Sequence, residues 1–272
     1  MAGQLPPFAK VGVVGGGGGM GRWLASFLRE RGYQVDIADP TVPGSASATD
    51  LASRVDALFV AVPIDATLGV IAEVGPHMKP GSALLDITSL KERELAAMLA
   101  ATEESGVEVV GTHPLFGPSA TSVSGLNFIT CPARGTRALE WIESLFAEGG
   151  AVVTRASATQ HDEMMAIVQG LEHFSTVATG LALRDLGVPV DLFGPYATPS
   201  FDFKVGAIRR VFCDNPRLYG DILGTNPRTA GVVDRYLQVA NEMAVAVREG
   251  DTERLTALID GGAAYYCDVP RG

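Results

Sequence analysis

The chain has 272 residues, 47% hydrophobic and 19% charged, which is enough for a buried core and far from a disordered composition. Its formal charge of −10 argues against a nucleic-acid partner, because no basic surplus is available to neutralise phosphates. Cys131, Cys213 and Cys267 are dispersed, fit no metal spacing and read as reduced thiols. With no charged and apolar leader in Met1–Ala9, and no apolar run of the roughly 20 residues that spans a bilayer, a soluble cytoplasmic protein without membrane contact is expected.

In chain order, the apolar run Val11-Gly12-Val13-Val14 reads as a strand and is followed by five glycines, Gly15 to Gly19. Met20 and Gly21 lead into an amphipathic helix over Arg22–Glu30, closed by Gly32, and Tyr33–Asp39 alternates as a second strand. Gly16, Gly18 and Gly21 stand in the spacing G-x-G-x-x-G within this strand–turn–helix–strand order. The first glycine allows the tight turn, the second admits a pyrophosphate to the backbone, and the third lets the helix pack on the sheet. Free N–H groups and the dipole at the helix start then hold phosphate. Asp39 lies eighteen residues past Gly21 and is placed to accept bonds from both hydroxyls of a ribose; a 2′-phosphate would be repelled, so NAD rather than NADP is expected.

Pro40–Thr49 reads as a surface connection, and Ala57–Val62 as a strand buried on both faces. Pro63 ends that strand at its carboxyl edge, where open α/β sheets bind their ligands, and is a cofactor-side candidate with Met20. A helix over Thr67–Val74, a strand over Ala83–Ile87 and a helix over Glu92–Thr102 follow. Val107–Val110 reads as a strand that delivers the loop Gly111–Pro118; Asn127–Cys131, Arg137–Glu148 and Ala151–Val153 read as strand, helix and strand. The fold class is therefore α/β, a Rossmann-type doubly wound parallel sheet. Past Ser157 the pattern turns helical, over Gln160–Leu186, Ala207–Phe212, Arg228–Glu249 and Thr252–Asp260. Two domains are expected, 1–155 for the nucleotide and 156–272 all-helical, with a cleft between them.

His113 follows a strand end on the cofactor side; its imidazole can take a hydroxyl proton while hydride leaves the same carbon. Ser89 is either a substrate ligand or, more simply, the N-cap of the helix starting at Lys91. His161 and His173 are twelve residues apart, about 120° off a common helical face, so no metal site is expected. His161, beside Asp162-Glu163, reads as exposed, and His173 as turned toward a cleft. Arg209 and Arg210 point about 100° apart on a helix; one of them can fork onto a carboxylate, or both are solvated.

The loop His113-Pro114-Leu115-Phe116-Gly117-Pro118 closely resembles the H-P-M-F-G-P loop of the prephenate dehydrogenase family, which includes arogenate dehydrogenases. The glycine turn ending Met20-Gly21-Arg22, the segment Asp86–Lys91, Gln160-His161-Asp162, Gln169–Phe174 and Arg210–Asp221 resemble further family motifs in the same order. The resemblance implies His113 as the base on the ring 4-hydroxyl, with Ser89 its neighbour, and Arg210 as the clamp on a substrate carboxylate. It implies NAD-dependent oxidation and decarboxylation of a cyclohexadienyl carboxylate, and a homodimer built by the helical domain. Asp202 stands where some members carry a second arginine, so a substrate amine becomes an option: 4-amino-4-deoxyprephenate, or arogenate, in place of prephenate. A β-hydroxyacid dehydrogenase or imine reductase using Lys204, and a non-catalytic NAD-binding protein, are the readings from other classes.

Overall fold

The computed structural model describes residues 7–267. Strands β1 (Lys10–Val14), β2 (Gln34–Ala38), β3 (Ala57–Val60), β4 (Ala83–Asp86), β5 (Glu108–Pro114), β6 (Asn127–Arg134) and β7 (Val152–Arg155) form one sheet in the order β2-β1-β3-β4-β5-β6-β7. The first five run parallel, as expected, while β6 pairs antiparallel with β5 and β7 parallel with β6. Helices α1 (Gly19–Glu30), α2 (Ala48–Arg54), α3 (Ile64–Val74), α4 (Glu92–Ala101) and α5 (Arg137–Glu148) cover the two faces.

Alternation along the central strands feeds two cores. Val11, Val13, Phe59 and Leu85 pack with α1 and α5 on one face, and Leu58, Val60 and Leu84 pack with α2, α3 and α4 on the other. Gly12 is part of that packing, since a Cβ there would lie 2.7 Å from Leu58 and 2.9 Å from Leu51 of α2. Phe128 and Phe146 stack with centroids 3.7 Å apart, each burial contributing roughly 1.5–3 kcal/mol.

The strand expected over Val107–Val110 runs on to Pro114, because the antiparallel β6 supplies a partner as far as Phe128. His113 therefore lies inside a strand rather than after it. The helix expected over Gln160–Leu186 is divided into α6 (Ala158–Met165), a π-helical turn over Ala166–Leu171 and α7 (Glu172–Asp185). A count at 3.6 residues per turn does not carry across such a turn.

The described residues form two compact units: 7–165 with Asn215–Ile222, and Ala166–Asp214 with 223–267. In the first, Arg217 ties the 215–222 segment to Asp65 of α3 at 2.5 Å. In the second, α8 (Pro199–Cys213) starts with Pro199 in its first turn and Thr198 as its N-cap, the position where proline suits a helix. The start of α9 (Pro216–Thr225) belongs to the first unit; α10 (Thr229–Glu249) and α11 (Thr252–Cys267) complete the second. Gly180 of α7 makes room for Phe212 of α8, and Gly170 of the π turn for Thr229 of α10, with Cβ clearances of only 2.6 and 2.8 Å. The helix expected over Thr252–Asp260 runs on to Cys267 in α11, and residues 268–272 lie outside the described residues.

Candidate functional site

The glycine turn after β1 is built by exclusion of side chains. Gly15 has φ +83°, and a Cβ on it would lie 2.5 Å from the Ala61 carbonyl oxygen. A Cβ on Gly16 would meet Ile37 at 2.5 Å, and one on Gly21 would meet the Gly15 carbonyl oxygen at 2.1 Å. Gly18 is the exposed N-cap of α1 and offers no side-chain cap, so the first-turn N–H groups from Gly19 onward remain available to an anion. Met20 is half-buried in that first turn, and Pro63 is the exposed N-cap of α3 at the end of β3. These residues fit a dinucleotide pyrophosphate, because the backbone approach it needs is the space that side chains would fill. Gly21→Ala is expected to lower NAD⁺ affinity on the order of tenfold or more with the far-UV spectrum retained; titration of NAD⁺ measures it, and an unchanged affinity would contradict the assignment.

Asp39 follows β2 and holds the turn from the other side. Its carboxylate accepts from the Gly17 N–H at 2.8 Å, the Thr41 N–H at 2.8 Å and the Thr41 hydroxyl at 2.6 Å. Burial alone would raise its pKa, but the Thr41 bonds, the Gly17 N–H and nearby Arg22 more than offset it and hold the group below the usual carboxylate value. Three of its roughly four acceptor positions are in use. One ribose hydroxyl fits as the structure stands; a bond to both, as the sequence suggests, requires that Thr41 give way.

The loop after β5 is clamped to α1. Trp23 packs edge-on against Phe116 at 4.9 Å and donates its indole N–H to the Ala120 carbonyl at 2.8 Å. Pro118 lies where a Cβ on Gly19 would approach to 3.1 Å. One helix thus presents the glycine turn and fixes the loop that follows His113 and Pro114 at the end of β5.

His113 is buried, and its Nδ1 lies 2.8 Å from Nε2 of His161. His161 Nδ1 lies 2.7 Å from Oδ1 of Asp162. The expectation of an exposed His161 is corrected: it is 1% exposed, because α6 turns it onto β5 rather than to solvent. The Asp162 carboxylate also accepts the N–H groups of Lys91 at 2.9 Å and Glu92 at 3.0 Å, which cap α4. The cap expected from Ser89 is therefore supplied by Asp162, and Ser89 stays half-buried just after β4. Burial first, then His161 and Lys91, push the His113 pKa well below 6.5, so its imidazole is neutral at neutral pH. For Asp162, burial is outweighed by the His161 bond and the two N–H groups, and the carboxyl stays ionised.

Beneath this row, Lys91 is fully buried and pairs with Asp86, whose carboxylate also accepts from the Thr88 hydroxyl and, at 3.3 Å, the Thr112 N–H. Gly111 on β5 leaves room for the lysine stem, since a Cβ there would lie 2.8 Å from Lys91 Cδ. Cys131, opposite Gly111 on β6, has its thiol pushed up to about 12 by burial and is not a nucleophile. Lys91 and Asp162 entered the sequence reading only through motif resemblance or as flanking residues, and His161 was weighed there as a metal ligand; the Asp162 contacts with the start of α4 span some 70 positions.

The remaining candidates lie in the second unit. Arg210 of α8 is exposed. Asp202 is exposed in the first turn of α8 and shares a cavity of about 380 Å³ with Arg209, Phe193 and Phe201. Arg210 does not line that cavity; it lies eight residues from Asp202, about 12 Å along the helix and some 80° around it. His173 Nδ1 is 2.5 Å from Glu172 Oε2; burial lowers its pKa and Glu172 partly offsets this. Lys204 donates to the Thr176 hydroxyl at 3.0 Å. Among the described residues no cluster of potential metal ligands occurs, and no helix is long and apolar enough to cross a membrane.

A glycine-turn sheet with a buried neutral histidine near a strand end, together with a helical unit, defines a dinucleotide-binding scaffold. The chain belongs to the prephenate dehydrogenase family: residues 25–155 match its nucleotide-binding domain and residues 157–260 its dimerization domain. A T-protein of Enterobacter agglomerans is 33% identical over 263 residues, covering 97% of this chain and 69% of its own length. A protein of Methanocaldococcus jannaschii named "Probable arogenate/prephenate dehydrogenase" is 31% identical over 271 residues; the match covers 94% of this chain but only 60% of the relative. The 4-amino-4-deoxyprephenate dehydrogenase of Streptomyces pristinaespiralis is 29% identical over 271 residues, with 92% of this chain and 89% of the relative covered. The structure of prephenate dehydrogenase from A. aeolicus, in complex with hydroxyphenyl propionate and NAD⁺, shares the fold at a TM-score of 0.69, with 20% identity and coverage of 94% and 96%.

Proposed function

We propose that the chain is an NAD-dependent dehydrogenase that oxidises and decarboxylates a prephenate-like cyclohexadienyl carboxylate. The observation that carries this is His113, buried and neutral in β5, at the head of the loop that α1 clamps beside the glycine turn. NAD⁺ would be held by the glycine turn, the α1 N-terminus and Asp39, and when bound would supply the hydride acceptor. His113 takes the proton of the ring 4-hydroxyl as the C4–H bond gives up hydride, leaving a dienone. The bond to the ring carboxylate then breaks and CO₂ leaves. Its electron pair aromatises the ring, and the proton returns to the oxygen as 4-hydroxyphenylpyruvate forms. Ser89 bonds the same hydroxyl and Arg210 clamps a carboxylate of the substrate, with His173 and Asp202 as further substrate-binding candidates.

Prephenate is the first substrate of the proposal. The same chemistry on 4-amino-4-deoxyprephenate is the second, supported by Asp202 and by the S. pristinaespiralis relative, whose length is close to that of this chain. Arogenate is the third. A division at 155, with 156–272 as a dimerization domain, is supported by the two matched segments. Exposed Leu186, Tyr196 and Phe203 in the helical unit suit the buried face of a homodimer. The compartment proposed is the cytoplasm.

The test runs NADH formation in parallel on the three substrates. Prephenate turned over most efficiently is the expected result. Preference for the 4-amino compound or for arogenate would move the substrate assignment, and turnover of none of the three would overturn the proposal.

A further inference from the structure

Asp162 accepts from two backbone N–H groups, and as a carboxylate it has no proton to give, so His161 Nδ1 must be the donor in their 2.7 Å contact. In a neutral His161 that leaves Nε2 as an acceptor, 2.8 Å from His113 Nδ1. The His113 ring must then carry its proton on Nδ1, and its Nε2 is the basic nitrogen. A doubly protonated His161 would reverse this order, but it would bury a full positive charge directly against the His113 ring.

We infer that His161 and Asp162 are positioning residues for His113: they fix its ring as the Nδ1–H tautomer, so that Nε2 faces the reaction as the proton acceptor. This rests on the base role proposed for His113. The carboxylate is anchored by the start of α4, so one acid both caps a helix and orients a ring two links away. Positive charge that develops on His113 as it takes a proton is shared with the His161–Asp162 pair.

The test uses the full chain labelled with ¹⁵N-histidine, which contains four histidines, His113 being identified by its loss in His113→Asn. The ring ¹⁵N shifts of His113 are expected to report Nδ1 protonated and Nε2 bare. His161→Phe removes the acceptor; the His113 tautomers then mix, and kcat falls on the order of 10²-fold with NAD⁺ affinity unchanged. His161→Gln, whose amide oxygen can accept from Nδ1–H, restores both in part. Asp162 is left intact because its removal would also uncap α4. An Nε2–H tautomer in the parent protein, or an unchanged tautomer and kcat in His161→Phe, overturns the inference. The NMR readout needs no substrate. An Nδ1–H ring in a protein that turns over none of the cyclohexadienyl carboxylates would reject the proposed reaction while leaving the relay standing.

Discussion

His113→Asn lowers kcat by about 10²–10⁴-fold, the usual contribution of a positioned proton acceptor, and leaves NAD⁺ affinity intact. Asparagine keeps a side-chain N–H near the position of Nδ1, so the contact with His161 Nε2 can persist and the fold with it. What is lost is a lone pair of suitable basicity. In the parent protein kcat/KM is expected to stay level as pH falls through 6.5, because His113 titrates well below that value. Its acid limb, set by protonation of the base, lies lower still. Steady-state kinetics with prephenate, together with NAD⁺ titration, measures both quantities. A variant with undiminished kcat would remove His113 from the chemistry.

The second large effect is on stability. Lys91→Ala leaves the buried Asp86 carboxylate with only the Thr88 and Thr112 donors. Breaking a buried pair from one side costs about 3–5 kcal/mol. Both tryptophans, Trp23 and Trp141, lie in the unit that contains this pair, so their fluorescence reports its unfolding in urea. The midpoint is expected to fall sharply. Replacing both partners by apolar residues, as in Asp86→Leu with Lys91→Met, should recover much of the loss, since an ion pair and a well-packed apolar pair of similar volume are often near equal. A Lys91→Ala midpoint close to that of the parent would show that the pair contributes little.

The nucleotide-binding half was readable because its constraints are local. Two glycines of the turn are required by atoms a few residues away or on the next strand, Gly21 by Gly15 and Gly16 by Ile37. The apolar runs of β3 and β4 gave those strands for the same reason. The site was less legible. His161 looked exposed because acidic neighbours usually mark a solvated face, yet Asp162 turns inward to cap a helix 70 residues earlier in the chain. One clue was present: the start of α4 has Lys91 at its N-cap, which cannot accept the free N–H groups, so the acceptor had to come from elsewhere. The extension of β5 to Pro114 depends on antiparallel pairing with β6, and a distant partner leaves no periodicity behind. The π turn at Ala166–Leu171 likewise has no local composition that announces it.

The most direct measurement of the central claim is the stoichiometry of CO₂ and NADH with prephenate as substrate. Equal amounts of the two from the parent protein, and neither from His113→Asn, is the predicted result. NADH without CO₂ would place the chain with simple hydroxyacid oxidation, and neither product from prephenate, 4-amino-4-deoxyprephenate or arogenate would contradict the account outright.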